Sequence, residues 1–183
     1  WATSSLSPQI VGRVDEPDGL FERMFPMDLR PQAHEIIRTW LVSTIVRSHL
    51  EHRTLPWYNA AISGWVLDPD RKKMSKSKGN VVTPMGLLEE HGSDGVRYWA
   101  ASGRPGTDTA FEVGQMKVGR RLATKILNAS RFALLQAEPR GSVTHPLDRA
   151  MLDSLATLVR FSTEKLDGYD YASVLDQVEK SFW

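Results

Sequence analysis

Glycine and proline punctuate the first part of the chain and then thin out from Glu112 onward, so two kinds of structure are expected to meet near residue 110. Beyond that point Met116, Leu122, Ile126, Leu127, Ala129, Phe132 and Leu135 recur at the spacing of one long amphipathic helix. A linker from Pro139 to Pro146 follows. Leu152, Leu155, Leu158, Val159 and Phe161 then predict a second long helix to about Leu166, and Tyr171 opens a third. Residues 111–183 are therefore expected to be all-α.

Residues 1–110 read differently. The first 31 are rich in Ser, Pro, Gly and Asp and predict irregular structure with a short helix around Leu20-Phe21 and Met24-Phe25. From Gln32, Ile36, Ile37, Trp40, Leu41, Thr44, Ile45 and Ser48 predict an amphipathic helix ending between His49 and His52, and Pro56 blocks its continuation. The run Ala60-Ala61-Ile62-Ser63-Gly64-Trp65-Val66-Leu67 fits a buried parallel strand, and helix followed by strand predicts an α/β unit. Thr83-Pro84 starts a helix through about Glu90 that Gly92 closes, and Ser93-Asp94 starts the next, through Trp99.

The 183 residues are 41% hydrophobic and 25% charged, which leaves room for one or two ordinary cores. Without cysteine there is neither a disulfide framework nor a thiolate metal site, and a cytoplasmic address is the default. No stretch approaches the ~20 apolar residues of a membrane span. The chain opens on Trp1 rather than Met and stops at Phe182-Trp183 inside a helical pattern, so a piece of a longer protein is expected. A net charge of +1 means that any nucleic-acid contact must come from local patches. There are two: residues 71–78, and Lys117, Arg120, Arg121 and Lys125 with Arg131. Either can equally be a plain solvated face.

The first patch carries the chemistry. Arg71-Lys72-Lys73-Met74-Ser75-Lys76-Ser77-Lys78-Gly79-Asn80 sets five cations in eight residues directly after the predicted strand, with hydroxyls between them and a permissive Gly-Asn at the end. Ammonium groups neutralise phosphate, hydroxyls and backbone N–H groups direct it, and Gly79 permits a tight turn, so the composition suits a polyphosphate. No glycine precedes the Lys-Ser pair at Walker spacing and no GxGxxG occurs, which sets aside the P-loop ATPase and dinucleotide readings. His34-Glu35-Ile36-Ile37-Arg38 lacks the second histidine of HExxH, so a zinc centre is not expected. No nucleophile arrangement such as GxSxG is present.

The string Lys73-Met74-Ser75-Lys76-Ser77, continued by Lys78-Gly79-Asn80, resembles KMSKS, the second signature motif of the class I aminoacyl-tRNA synthetases. The resemblance implies adenylate formation from an amino acid and ATP accompanied by Mg2+. Lys76 is then the principal ATP contact, Lys73 assists as a second catalytic lysine, and Ser75 and Ser77 shape the loop around the triphosphate. Cations aimed at charge developing on the departing pyrophosphate are the device such chemistry needs.

Within that class the chain is most similar to the valyl enzymes. Leu29-Arg30-Pro31-Gln32-Ala33-His34-Glu35-Ile36-Ile37-Arg38-Thr39-Trp40 looks like the segment that holds adenosine, with Glu35 at the acidic position for the ribose hydroxyls and Ala33 where glycine is frequent. Trp1-Ala2-Thr3-Ser4-Ser5-Leu6 resembles one wall of the amino-acid pocket, with Trp1 against the substrate side chain. Ser93-Asp94-Gly95-Val96-Arg97-Tyr98-Trp99 resembles the segment leading into the helical domain, with Gly95 in place of a usual alanine. Leu127-Asn128-Ala129-Ser130-Arg131-Phe132 resembles the first helix of the anticodon-binding bundle. On that helix Lys117, Arg120, Arg121, Lys125 and Arg131 are implied to touch tRNA phosphates.

The fold so implied is the C-terminal half of a Rossmann-like α/β catalytic domain over residues 1–110, followed by the start of an all-α anticodon-binding bundle over 111–183. Valine, ATP and tRNA(Val) are the implied partners, with no membrane and no protein-bound metal. The HIGH-type signature is nowhere in the chain, so the chain alone is expected to be inactive and its catalytic complement to lie upstream of Trp1. Two other readings stay open: a non-catalytic RNA-binding or interaction module derived from a synthetase, and an isoleucyl or leucyl enzyme.

Overall fold

A computed structural model describes residues 2–75, 77, 79–136 and 141–183. The chain forms two compact units, one running up to Trp65 and including Pro105–Thr107, the other comprising Val66–Arg104 and Asp108–Trp183.

The first unit begins with a 3-10 turn at Ser4–Leu6, α1 at Ser7–Gly12 and α2 at Leu20–Met24. Strand β1 (Met27–Ala33) follows, then a 3-10 turn at His34–Ile36, a π-turn at Ile37–Leu41, α3 (Val42–His52) and β2 (Trp57–Ser63). β1 and β2 are parallel neighbours, in register from Met27 opposite Trp57 to Ala33 opposite Ser63, so the helical segment between them is a βαβ crossover. The helix expected from Gln32 therefore starts at His34 and becomes α-helical only at Val42. Arg53, left-handed at φ 57°, ends α3.

Aromatic stacking holds this crossover on its sheet. Trp40 lies parallel to Trp57 with ring centroids 5.5 Å apart, and the Arg30 guanidinium sits 3.6 Å from the Trp40 ring. Such pairs add about 0.5–1.5 kcal/mol beyond the area they bury. Burial lowers the pKa of Arg30. The Trp40 indole N–H donates to the Ser4 carbonyl (2.8 Å), and Arg47 Nε donates to Ser5 Oγ (2.7 Å), which ties the N-terminal turn to the crossover helix. Thr44 and Ser48 are fully buried and each donates its hydroxyl to a backbone carbonyl, of Trp40 and Thr54 respectively, so neither is an orphan.

The second unit opens with β3, only Val66–Leu67, which pairs in parallel with β4 (Thr109–Ala110) across a crossover containing α4 (Pro84–Ser102). The predicted strand over residues 60–67 is thus two strands broken at Gly64 and Trp65, and most of β2 is exposed or half-buried rather than buried. A two-stranded sheet with one open face cannot bury it. Gly92 inside α4 has φ 73° and ψ 163°, a region open essentially to glycine, so α4 is two helices meeting at a kink, as its sequence predicts.

α5 (Val113–Gln136), α6 (Pro146–Asp167) and α7 (Tyr171–Phe182) complete the unit and match the three predicted helices. α4 and α5 approach closely through glycine. A Cβ on Gly95 would lie 2.7 Å from the Met116 carbonyl oxygen, and one on Gly119 would lie 2.3 Å from Tyr98 Cβ. Gly95 is thus the residue this crossing requires, and Met116 beneath it is fully buried. The Tyr98 hydroxyl donates to Glu179 of α7, and the Trp99 indole donates to the Ala110 carbonyl (3.1 Å). Asp170 caps α7 by accepting from Ser173 N (3.2 Å). Among the described residues no helix is long and apolar enough to cross a membrane.

Candidate functional site

Among the described residues, the predicted nucleotide contacts follow the carboxyl ends of two parallel strands, where open α/β sheets place their ligands. Past β3, the chain turns at once. Asp68 N donates to the Lys72 carbonyl (2.8 Å), Arg71 N donates to the Asp68 carbonyl (2.9 Å), and Lys73 bridges back to Leu67 in antiparallel fashion. Arg71 takes a left-handed φ of 62° to close this hairpin. Lys73 therefore emerges, exposed, from a structured turn rather than from slack chain.

Beyond Lys73 a network of side chains shapes the loop. Asn80 Oδ1 accepts from Ser75 N (2.9 Å), and Asn80 Nδ2 donates to Asp68 Oδ2 (2.8 Å) and, at 3.4 Å, to the Lys73 carbonyl. Asp68 Oδ1 accepts from Lys72 N (2.7 Å). That backbone N–H, followed by the Asn80 amide, holds the Asp68 carboxyl below the usual carboxylate range. The Ser75 and Ser77 hydroxyls lie 3.3 Å apart. Lys72 pairs with Asp70 at 3.7 Å, an exposed contact worth little. The structure thus brings Lys73, Ser75 and Ser77 onto one loop, while Lys76 lies outside the described residues.

Past β1, Glu35 stands on the first turn after the strand and accepts from the Trp65 indole N–H at 3.1 Å. The His34 and Trp65 rings meet at 4.9 Å, and His34 Nδ1 lies 3.3 Å from the Ser63 carbonyl, so His34 has a packing role consistent with its non-catalytic reading. Glu35 accepts from this neutral donor and is exposed. Trp1 lies outside the described residues, although Ser4 and Ser5 of the same segment are anchored as described above.

Lys117, Arg120, Arg121, Lys125 and Arg131 are all exposed on α5. At about 100° per residue they span one side of the helix, opposite the face carrying Met116, Gly119 and Leu122, which is buried. Lys125 Nζ sits 4.9 Å from the Trp183 ring centroid, and Arg120 packs where a Gly92 side chain would otherwise stand. Sequence reasoning missed Asp68 and Trp65 and read Asn80 only as a turn former. The Asp68-Pro69-Asp70 turn signature was visible, but its partner twelve positions on was not.

The chain is 62% identical, over its whole length, to the valine--tRNA ligase of Thermobifida fusca (strain YX), of which it covers 21%, and 63% identical to that of Salinispora arenicola (strain CNS-205), covering 22%. It spans about a fifth of the length of these curated relatives. Among solved structures, the LeuRS of Agrobacterium radiobacter K84 (agnB2), in its ternary complex with tRNA and LeuAMS, superposes with TM-score 0.82 at 17% identity, covering 97% of this chain and 25% of that one. The Mycobacterium tuberculosis methionyl-tRNA synthetase in complex with methionyl-adenylate gives 0.65 at 24% identity, covering 90% and 35%. These two likenesses concern the fold. The sequence profile of the tRNA synthetases class I (I, L, M and V) matches residues 1–112, which take in both strand ends and the loop past the second, and the chain belongs to that family.

Proposed function

We propose that this chain supplies the ATP-polyphosphate loop, the ribose-binding carboxylate and part of the tRNA-binding helices of a valine–tRNA ligase, which joins valine to ATP as valyl-adenylate and passes it to tRNA(Val). The observation that carries the reading is the string Lys73-Met74-Ser75-Lys76-Ser77, which follows β3 along the chain, in a sequence 62% identical throughout to a valine--tRNA ligase. Residues 1–110 then form the C-terminal half of the Rossmann-like catalytic fold, which the two βαβ crossovers support, and 111–183 begin the anticodon-binding bundle, which the three helices support.

In the reaction, the valine carboxylate attacks the α-phosphorus and pyrophosphate leaves. Lys73 and Lys76 offset the negative charge that builds on the leaving group, Ser75 and Ser77 donate hydrogen bonds to its oxygens, and Glu35 accepts from the ribose hydroxyls. Mg2+ accompanying the nucleotide would further offset phosphate charge. Trp1 contacts the valine side chain. The exposed cations of α5 meet tRNA phosphates, the role their placement opposite the buried face supports.

The test is valine-dependent ATP–pyrophosphate exchange by the enzyme that carries this chain. Lys76→Ala should slow exchange by about a hundredfold, the scale of removing one group that stabilises transition-state charge, and leave valine affinity within about twofold. An unchanged rate would remove the role given to Lys76. Isoleucine or leucine activated in preference to valine would move the chain to a sister enzyme.

A further inference from the structure

The loop is braced by two side chains to which the reaction as written assigns no part. Asp68, only 8% exposed, divides its oxygens between the two limbs of the loop: Oδ1 takes Lys72 N on the outgoing limb, and Oδ2 takes the Asn80 amide on the returning one. Asn80 passes the connection on, because its Oδ1 accepts from Ser75 N. Donating to one partner while accepting from another is what a carboxamide does and a carboxylate does not. Gly79, at φ 69° with nothing within 4 Å of where its Cβ would be, is set by backbone conformation rather than space, and it turns Asn80 back toward Asp68.

We propose that Asp68 and Asn80 are positioning residues for polyphosphate recognition: a carboxylate–carboxamide clasp that fixes the backbone of residues 72–75, so that the loop's cations and hydroxyls are presented already ordered. The proposal rests on the reading of residues 73–77 as a polyphosphate loop. Without the clasp the segment has backbone freedom that binding must remove, and that ordering weakens affinity. Hydrogen bonds from Lys72 N and Asn80 hold Asp68 as a carboxylate, and the cations of the same loop, Lys72 among them, offset its charge. Its near-complete burial keeps it off the surface that phosphate approaches.

The clasp has a built-in rescue. Asn80→Asp sets two carboxylates against each other, and Asp68→Asn leaves the pair two amides, whereas the double exchange Asp68→Asn with Asn80→Asp restores one donor facing one acceptor with the polarity reversed. Calorimetric titration of the enzyme that carries this chain with inorganic pyrophosphate, together with amide exchange at Lys72 and Ser75 and a melting curve, tests this. Each single variant should weaken pyrophosphate binding by about tenfold, one charge-assisted hydrogen bond, and speed Ser75 exchange, while the double exchange recovers most of both. Asn80→Ser carries the same expectation in the event that Asp68→Asn unfolds the chain.

A brace for folding alone would lower the melting temperature and leave the affinity of the folded protein unchanged, and that result would overturn the proposal. Lys73→Ala separates the two levels. Loss of pyrophosphate binding in Lys73→Ala with parent-like binding in the clasp variants would remove the clasp and keep the loop reading. A parent that does not bind pyrophosphate, or that binds equally after Lys73→Ala and Lys76→Ala, would overturn both.

Discussion

Gly119→Ala puts the crossing of α4 and α5 to a quantitative test. The added methyl carbon would lie 2.3 Å from Tyr98 Cβ, 2.5 Å from its Cγ and 2.9 Å from its Cδ1. Carbon atoms rest about 3.5–4.0 Å apart, so the deficit exceeds ~1 Å. Tyr98 Cβ lies next to the backbone and cannot swing away, so the helices must separate. Separation also loosens the Gly95 contact with Met116 and draws Tyr98 from Glu179. Overpacking of this kind costs about 1–3 kcal/mol, against which the better helix propensity of alanine returns roughly 0.5–1 kcal/mol. A net loss of about 1–2 kcal/mol corresponds to a fall of about 2–8 °C in melting temperature for a chain this long.

Gly114 supplies the control on the same helix. A Cβ there meets only Glu112, at 3.7 Å from Oε1 and 4.0 Å from Cγ, which is ordinary contact. Gly114→Ala should therefore be neutral or stabilising by up to about 1 kcal/mol. Thermal unfolding followed by far-UV circular dichroism reads both variants. Gly119→Ala melting at or above Gly114→Ala would refute the close-approach argument.

Tyr98 is expected to make stability pH-dependent at the alkaline end: burial first, then its bond to Glu179, pushes its pKa from 10.0 up to about 12. The folded state thus favours the protonated phenol, the contribution is complete below pH 10 and is lost as pH rises toward 12, and Tyr98→Phe should flatten melting curves over that window. Glu35→Gln in the intact enzyme should weaken ATP by about tenfold, the value of hydrogen bonds to a charged acceptor, while 3′-deoxy-ATP loses less; equal losses would place Glu35 away from the ribose. Neutralising Lys117 and Arg121 together should reduce the slope of log affinity for tRNA against log salt by about 1.4–1.8, and an unchanged slope would return that face to solvent.

The helices of residues 113–182 were legible because their apolar periodicity persists for many turns, and the Gly92 break was legible because only glycine takes its backbone angles. β1 was not. Pro31 sits in its middle, and proline argues against an interior strand, yet a two-stranded sheet leaves a side where its missing N–H is no loss. β3 and β4 span two residues each, too few for any alternation to register. At the candidate site, the cations and hydroxyls announced themselves as a run, whereas Asp68, Asn80 and the Trp65 contact to Glu35 depend on side chains meeting across 12 and 30 positions. Local patterns hold no record of such meetings.

The close approach of α4 to α5 also decides what the loop is mounted on. The chain leaves the loop straight into α4, and α4 is locked through Gly95 and Gly119 to the long helix that bears the basic face. The loop and the basic face therefore belong to one compact unit, joined along the chain through α4 and across the Gly95 and Gly119 contacts.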